Sequence, residues 1–123
     1  GEDTDLSAKI WDKYRGGFIF SKKSNSIHFH RRNINEFCLS MNTYGEHNFP
    51  ILINRYPQYE KELGADWIFS TKGYLVFNPL LKIIIKSISL IIPLQILIRY
   101  MVIYSVISGA RNSGKWMKLN KKI

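Results

Sequence analysis

Between Ile83 and Tyr104 the chain reads IIIKSISLIIPLQILIRYMVIY. No other stretch so limits what the sequence can fold into. Thirteen of these residues are Ile, Leu or Val. Drawn as one helix, the run is about 33 Å long, against roughly 30 Å of bilayer hydrocarbon. On an insertion scale the thirteen branched side chains contribute roughly −4 to −8 kcal/mol. Arg99 opposes this by about +2.5 to +3.5 kcal/mol at the centre of a bilayer. It falls about 8 Å off centre, where its long stem reaches outward. Lys86 mirrors it at the other end, with Lys82 beyond, and Tyr100 and Tyr104 suit an interfacial belt. Pro93 lies near the middle, a position that membrane helices tolerate and that costs a soluble helix about 3 kcal/mol. The competing reading is a helix buried in a soluble domain. That helix needs apolar cover on every side, which the short, polar segments elsewhere are poorly suited to give. The sequence therefore predicts a mostly α membrane protein. It has one transmembrane helix over about 80–107, kinked at Pro93, and a small mixed N-terminal part of short helices and a candidate β-hairpin. The divisions are a polar extramembrane segment over 1–73, the transmembrane part over 74–110 and a basic tail over 111–123.

Charge supports that division. Of 123 residues, with a net charge of +9, all nine acids lie between Glu2 and Asp66. The first 73 residues carry ten basic side chains against those nine. After Gly73 there is no carboxylate side chain, and Lys and Arg flank the apolar run. A basic excess of this kind points to anionic lipid, nucleic acid or an acidic partner. The single Cys38 rules out an intrachain disulfide and reads as a small buried hydrophobe.

In the polar part, a helix is expected from about Leu6 to Arg15, capped by Asp5 and stopped by Gly16-Gly17. A hairpin is expected over Phe18 to Arg32, where Phe18 alternates with Phe20 and Ile27 with Phe29. A second short helix follows, ending near Gly45. "FPILINRY" reads as a strand. "YPQYEKELG" reads as one or two helical turns, with Pro57 at the first position and Gly64 after the end.

Several motifs tempt and fail. "GARNSGKW" has the phosphate-loop spacing at Gly109, Gly114 and Lys115, but Trp116 stands where Ser or Thr must hold magnesium. His28, His30, His47 and Cys38 lack the spacing of a metal ligand set. No Ser, His and Asp arrangement suggests catalysis, and the second half of the chain supplies no acid or base. Ser105, Gly109 and Ser113 place small residues at intervals of four, which permits close helix packing. Two polar rows mark the apolar run. Lys82, Lys86, Ser89 and Pro93 share one helical face, and Gln95 and Arg99 share another. Lys82, Lys86, Arg111 and Lys115 are the candidate lipid-headgroup residues, and anionic lipid such as cardiolipin is their expected partner. Gln95, Arg99 and Pro93 are the candidate partner interface, because intramembrane polar groups usually face protein.

One run resembles a known family. "YPQYEKELGADW" is followed by Phe69, Ser70, Thr71, Lys72 and Gly73, then by a basic half-helix with Lys82 and Lys86. Pro93 comes thirteen residues after Leu80, within an apolar span that ends in a basic tail. In this order the elements resemble the small single-span subunit 8 of the mitochondrial cytochrome bc1 complex, the ubiquinone-binding-protein-like QP-C subunit. The resemblance covers roughly residues 55–118. "YLVF" lengthens the turn, Arg99 replaces an apolar residue, and the tail lacks the family's acids. The resemblance implies a non-catalytic accessory subunit of respiratory complex III in the mitochondrial inner membrane, with cytochrome b and the core subunits as partners. It also implies an N-terminus in the matrix, a C-terminus in the intermembrane space and no cofactor bound by this chain. A positive-inside count of the flanking Lys and Arg points, by a small margin, to the opposite orientation. Two alternatives stand beside it. One is an accessory subunit of another inner-membrane complex: ATP synthase, cytochrome c oxidase or complex I. The other is a basic RNA-binding ribosomal protein, with Trp116 stacking on a base; the membrane reading expects no nucleic acid.

Overall fold

The computed structural model describes residues 2–15, 33–92 and 94–113. Among the described residues there are seven α-helices, one 3-10 turn and no strand. The expected hairpin over Phe18 to Arg32 lies outside them, as do Pro93, with the kink ascribed to it, and Lys115.

Helix α1 runs Glu2–Tyr14 and α2 runs Ile34–His47. A reciprocal capping box starts α2: the Asn33 side chain accepts from the Glu36 amide, and the Asn33 amide donates to the Glu36 carboxylate. This satisfies two of the orphan donors at a helix start. Asp5 is not the cap expected of it; it lies inside α1, where it pairs with Lys9 at 2.7 Å and Arg55 at 2.8 Å.

The strand expected over 49–56 is instead helix α3, Phe49–Arg55. The buried residues Phe49, Leu52 and Ile53 of α3, with Tyr56 just after its end, recur at i, i+3, i+4 and i+7, which is helical and not alternating spacing. Pro50 falls in the first turn, where its missing N–H costs nothing. The 3-10 turn Pro57–Tyr59 follows, and the chain then reverses through Gly64, whose φ of +73° a side chain would resist. The short helices α4, Asp66–Phe69, and α5, Thr71–Val76, complete this part, α5 being capped by the Ser70 hydroxyl.

The expected single span is two helices. Helix α6, Pro79–Ile91, is capped by the Asn78 side chain, and α7 covers Gln95–Asn112. Among the described residues no helix is long and apolar enough to cross a membrane. The reason for the break is local. Ile92 adopts φ −126° and ψ 98°, the extended region to which a following proline confines its predecessor. Leu94 is extended as well, at φ −73° and ψ 134°. In one continuous helix, residues 82 and 104 would stand about 33 Å apart. Instead the Lys82 ammonium lies 5.0 Å from the centroid of the Tyr104 ring, and the Ser89 hydroxyl lies 3.7 Å from the Met101 sulfur. The chain doubles back, and α6 and α7 form a helical hairpin.

The last three turns of α7 belong to the core. Met101, Tyr104, Ser105, Ile107, Gly109 and Ala110 are all buried, and α2 crosses them. Gly45 and Gly109 meet at that crossing: a Cβ on Gly45 would collide with the Val106 carbonyl, and one on Gly109 with the Asn42 carbonyl. Asn42 Nδ2 fixes the register by donating to the Ser105 carbonyl at 3.1 Å. Gly45 therefore sits inside α2 for packing, and the helix ends at His47, close to the expected boundary but not at the glycine itself. Around the crossing, Phe49, Leu52, Ile53, Tyr56, Ala65, Ile68 and Ala110 make one apolar cluster.

Candidate membrane interface

The residues from α6 into the first turns of α7 face outward. Helix α6 has no buried residue although it is largely Ile and Leu. Leu90 is 80% exposed, Ile91 82% and Ile96 70%, and Ile92 and Leu94 are about half exposed. No charged residue occurs between Lys86 and Arg99. The surface of the reversal is therefore an aliphatic tip with one basic residue on each side. Lys86 stands about 9 Å along the helix from Ile92, and Arg99 about 6 Å from Gln95.

The structure separates the residues that the sequence grouped together. Lys82 and Lys86 line one cleft, of about 230 Å³, between α2, α6 and α7; Asn35, Cys38, Asn42 and Ser108 line it with them. Gln95 and Arg99 are exposed on the first turns of α7. Arg111 is folded into the protein: its Nε and one terminal nitrogen donate to the Ile68 and Phe77 carbonyls, each at 2.7 Å. Its guanidinium also lies 4.0 Å over the Tyr74 ring. Those bonds tie the end of α7 to α4 and to the loop before α6. Gly109, offered by the sequence as part of a phosphate loop, is spent at the crossing with α2.

Aromatic residues hold the base of the hairpin. Phe77 and Tyr100 stack with centroids 5.5 Å apart, Tyr100 and Tyr104 at 6.3 Å, and the Tyr100 hydroxyl donates to the Val76 carbonyl at 2.8 Å. Burial, with a smaller contribution from Tyr104, pushes the Tyr100 hydroxyl above its ordinary value, so it stays a donor. A separate cavity of about 470 Å³ lies between this stack and α3, with walls from Phe49, Leu63, Trp67, Phe77, Val106 and Ile107. Among the described residues no group of three or more His, Cys, Asp or Glu is placed to hold a metal ion.

Sequence reasoning marked the two lysines but missed their company. Cys38, Asn42 and Asn35 come from a segment about forty residues earlier, and nothing in local spacing joins them to α6. The small-residue stripe Ser105, Gly109 and Ser113 was the one signal of where α7 would pack, and all three are buried. No protein-family model, curated protein or solved structure matches the chain.

Proposed function

We propose that this chain is a non-catalytic membrane-surface protein whose α6–α7 hairpin sinks its tip into one leaflet. The observation that carries the reading is the uncharged aliphatic tip between Lys86 and Arg99, which holds the most exposed large hydrophobic side chains of both helices. Leu90, Ile91, Ile92, Leu94, Ile96 and Ile98 leave roughly four aliphatic side chains' worth of surface in water, and its transfer to an apolar phase is worth ~6–12 kcal/mol. A soluble protein rarely leaves so continuous a patch uncovered.

Depth and charge favour lipid over protein as the cover. The ~9 Å from Lys86 to the tip matches the 5–10 Å to which interfacial helices bury their apolar side. With the tip at that depth, Lys86 and Arg99 stand at the headgroups, where each basic group contributes about 1 kcal/mol on an anionic surface. No carboxylate side chain after Asp66 opposes them. The centre of a protein interface is enriched in Tyr, Trp, Phe, Met and Arg, and residues 87–98 contain none of these. The resemblance of residues 55–118 to the small bc1 subunit supports an accessory role at an energy-converting membrane, here as a surface-bound subunit.

The test is flotation with vesicles, combined with depth measurement on the variant Ile91→Trp. The expected result is co-flotation with vesicles containing phosphatidylglycerol, weaker binding to neutral vesicles, and quenching of the new tryptophan by lipids brominated near the headgroup end of their chains. A chain that stays unbound and self-associates through the same residues would show the tip to be a protein-docking surface and end the membrane reading.

A further inference from the structure

The cleft between α2, α6 and α7 has a chemistry different from that of the tip beside it. Lys82 and Lys86 stand one helical turn apart, a like-charge pair that costs stability on a bare helix. Neither is neutralised: the ion pairs among the described residues use Lys9, Arg55 and His47. The acids of α2 are turned to other tasks, Glu36 to the Asn33 amide and Glu46 to within 3.9 Å of His47. No carboxylate lines the cleft. Lys82 is half-buried, and its ammonium is steered inward by the Tyr104 ring at 5.0 Å. A ring face positions a cation without cancelling its charge.

Two walls are fixed. Asn42 Nδ2 is committed to the Ser105 carbonyl, and the Ser105 hydroxyl donates to the Met101 carbonyl at 2.8 Å. The Asn35 amide and the Ser108 hydroxyl line the same cleft, have no hydrogen-bond partner among the described residues and remain available as donors. The volume, about 230 Å³, is below the ~300–1,000 Å³ of clefts that enclose drug-sized ligands.

We propose that this cleft binds one phosphate group, as a mono- or diester, between the Lys82 and Lys86 ammonium groups, with Asn35 and Ser108 as neutral donors. Lysine suits phosphate as a point charge, and a bound anion turns the repelling pair into a bridged one. The inference deepens the membrane reading, on which it rests for the source of the phosphate. With the tip in a leaflet, Lys86 lies at headgroup depth, so a phospholipid would enter with its acyl chains beside the exposed side of α6.

The experiment is an NMR titration of the whole ¹⁵N-labelled chain with two separate probes: inorganic phosphate, and a short-chain phosphatidylglycerol below its micelle concentration. The amides of Asn35, Cys38 and Ser108 are expected to shift and saturate. Lys82→Gln and Lys86→Gln should each weaken binding about fivefold or more. Lys61→Gln, which removes the same charge far from the cleft, should leave it unchanged. Saturation by phosphate alone would identify the group itself as the ligand, and saturation by the lipid only would identify a headgroup. If neither probe moves these amides, or if Lys61→Gln costs as much as Lys82→Gln, the proposal falls even where the chain still floats with vesicles. Lost flotation with the amides still responding would remove the membrane reading and leave the phosphate site.

Discussion

The two ends of α7 show opposite uses of similar residues. From Met101 onward the helix buries Met, Tyr, Ile and Ala against α2 and its neighbours. Over Gln95–Tyr100 it has no fully buried residue, and α6 beside it has none at all. The outer end is the more aliphatic of the two. Side-chain hydrophobicity therefore does not decide burial here; the presence of a neighbour does. At the inner end that neighbour is close because Gly45 and Gly109 let two backbones touch. At the outer end no other described helix covers the apolar surface.

The largest effect that would break this comparison is at the crossing. Gly109→Val puts side-chain atoms into the Asn42 backbone, which cannot move aside as the end of a flexible side chain would. Overpacking of an ordinary core costs about 1–3 kcal/mol; here a loss of about 3 kcal/mol or more is expected in urea unfolding. Wild-type stability for Gly109→Val would mean that α2 and α7 do not touch.

Next is Ile68→Ala. Ile68 is fully buried, and truncating a buried Ile to Ala removes about 2–5 kcal/mol, depending on how far the site collapses. The same change at Ile91, which is 82% exposed, should stay within about 0.5 kcal/mol. The pair measures the contrast directly under one set of conditions.

Sharpening the comparison from the other side, Leu90→Gln with Ile91→Gln should leave the melting temperature nearly unchanged and abolish co-flotation with vesicles. Equal flotation of this variant would remove the tip from the interface.

The sequence carried part of this arrangement. The small residues Ser105, Gly109 and Ser113 marked the packing side of α7, and Lys82 and Lys86 were correctly placed on one helical side. The apolar run reads as one span because hydropathy sums along the chain are blind to what lies across from it. Half of the run's C-terminal part meets a segment some sixty residues earlier, and that contact has no local signal. Ile92 illustrates a second limit: a proline in an apolar run reads equally as a membrane kink or as a reversal. Residues 49–56 illustrate a third, since a short, mostly apolar stretch satisfies a strand and a short helix alike until its buried positions are known. Arg111 looked like a headgroup ligand because its charge was visible and the Ile68 and Phe77 carbonyls that receive it were not.

The smallest expected effect lies at the far edge of the inner region, where α1 meets α3. Asp5 accepts from Lys9, from Arg55 and from the Tyr56 hydroxyl at 3.1 Å. Lys9 foremost, then Arg55, holds its carboxyl at about 2, below the ordinary 3.8. Folding therefore favours the ionised form. The contribution is fully present above the ordinary value and disappears as pH falls through the folded one, so α1 should loosen between about pH 4 and pH 2. The group is solvent-accessible and its partners are screened, which keeps the effect modest. Amide protection along α1 is the measurement, compared with protection at the α2–α7 crossing, where Asn42, Gly45 and Gly109 make the contact. Asp5→Asn should give α1 at pH 5 the same protection factors that the wild type reaches near pH 2, and should flatten their pH dependence. If α1 in Asp5→Asn still loosens over that window, another carboxylate of the helix is responsible.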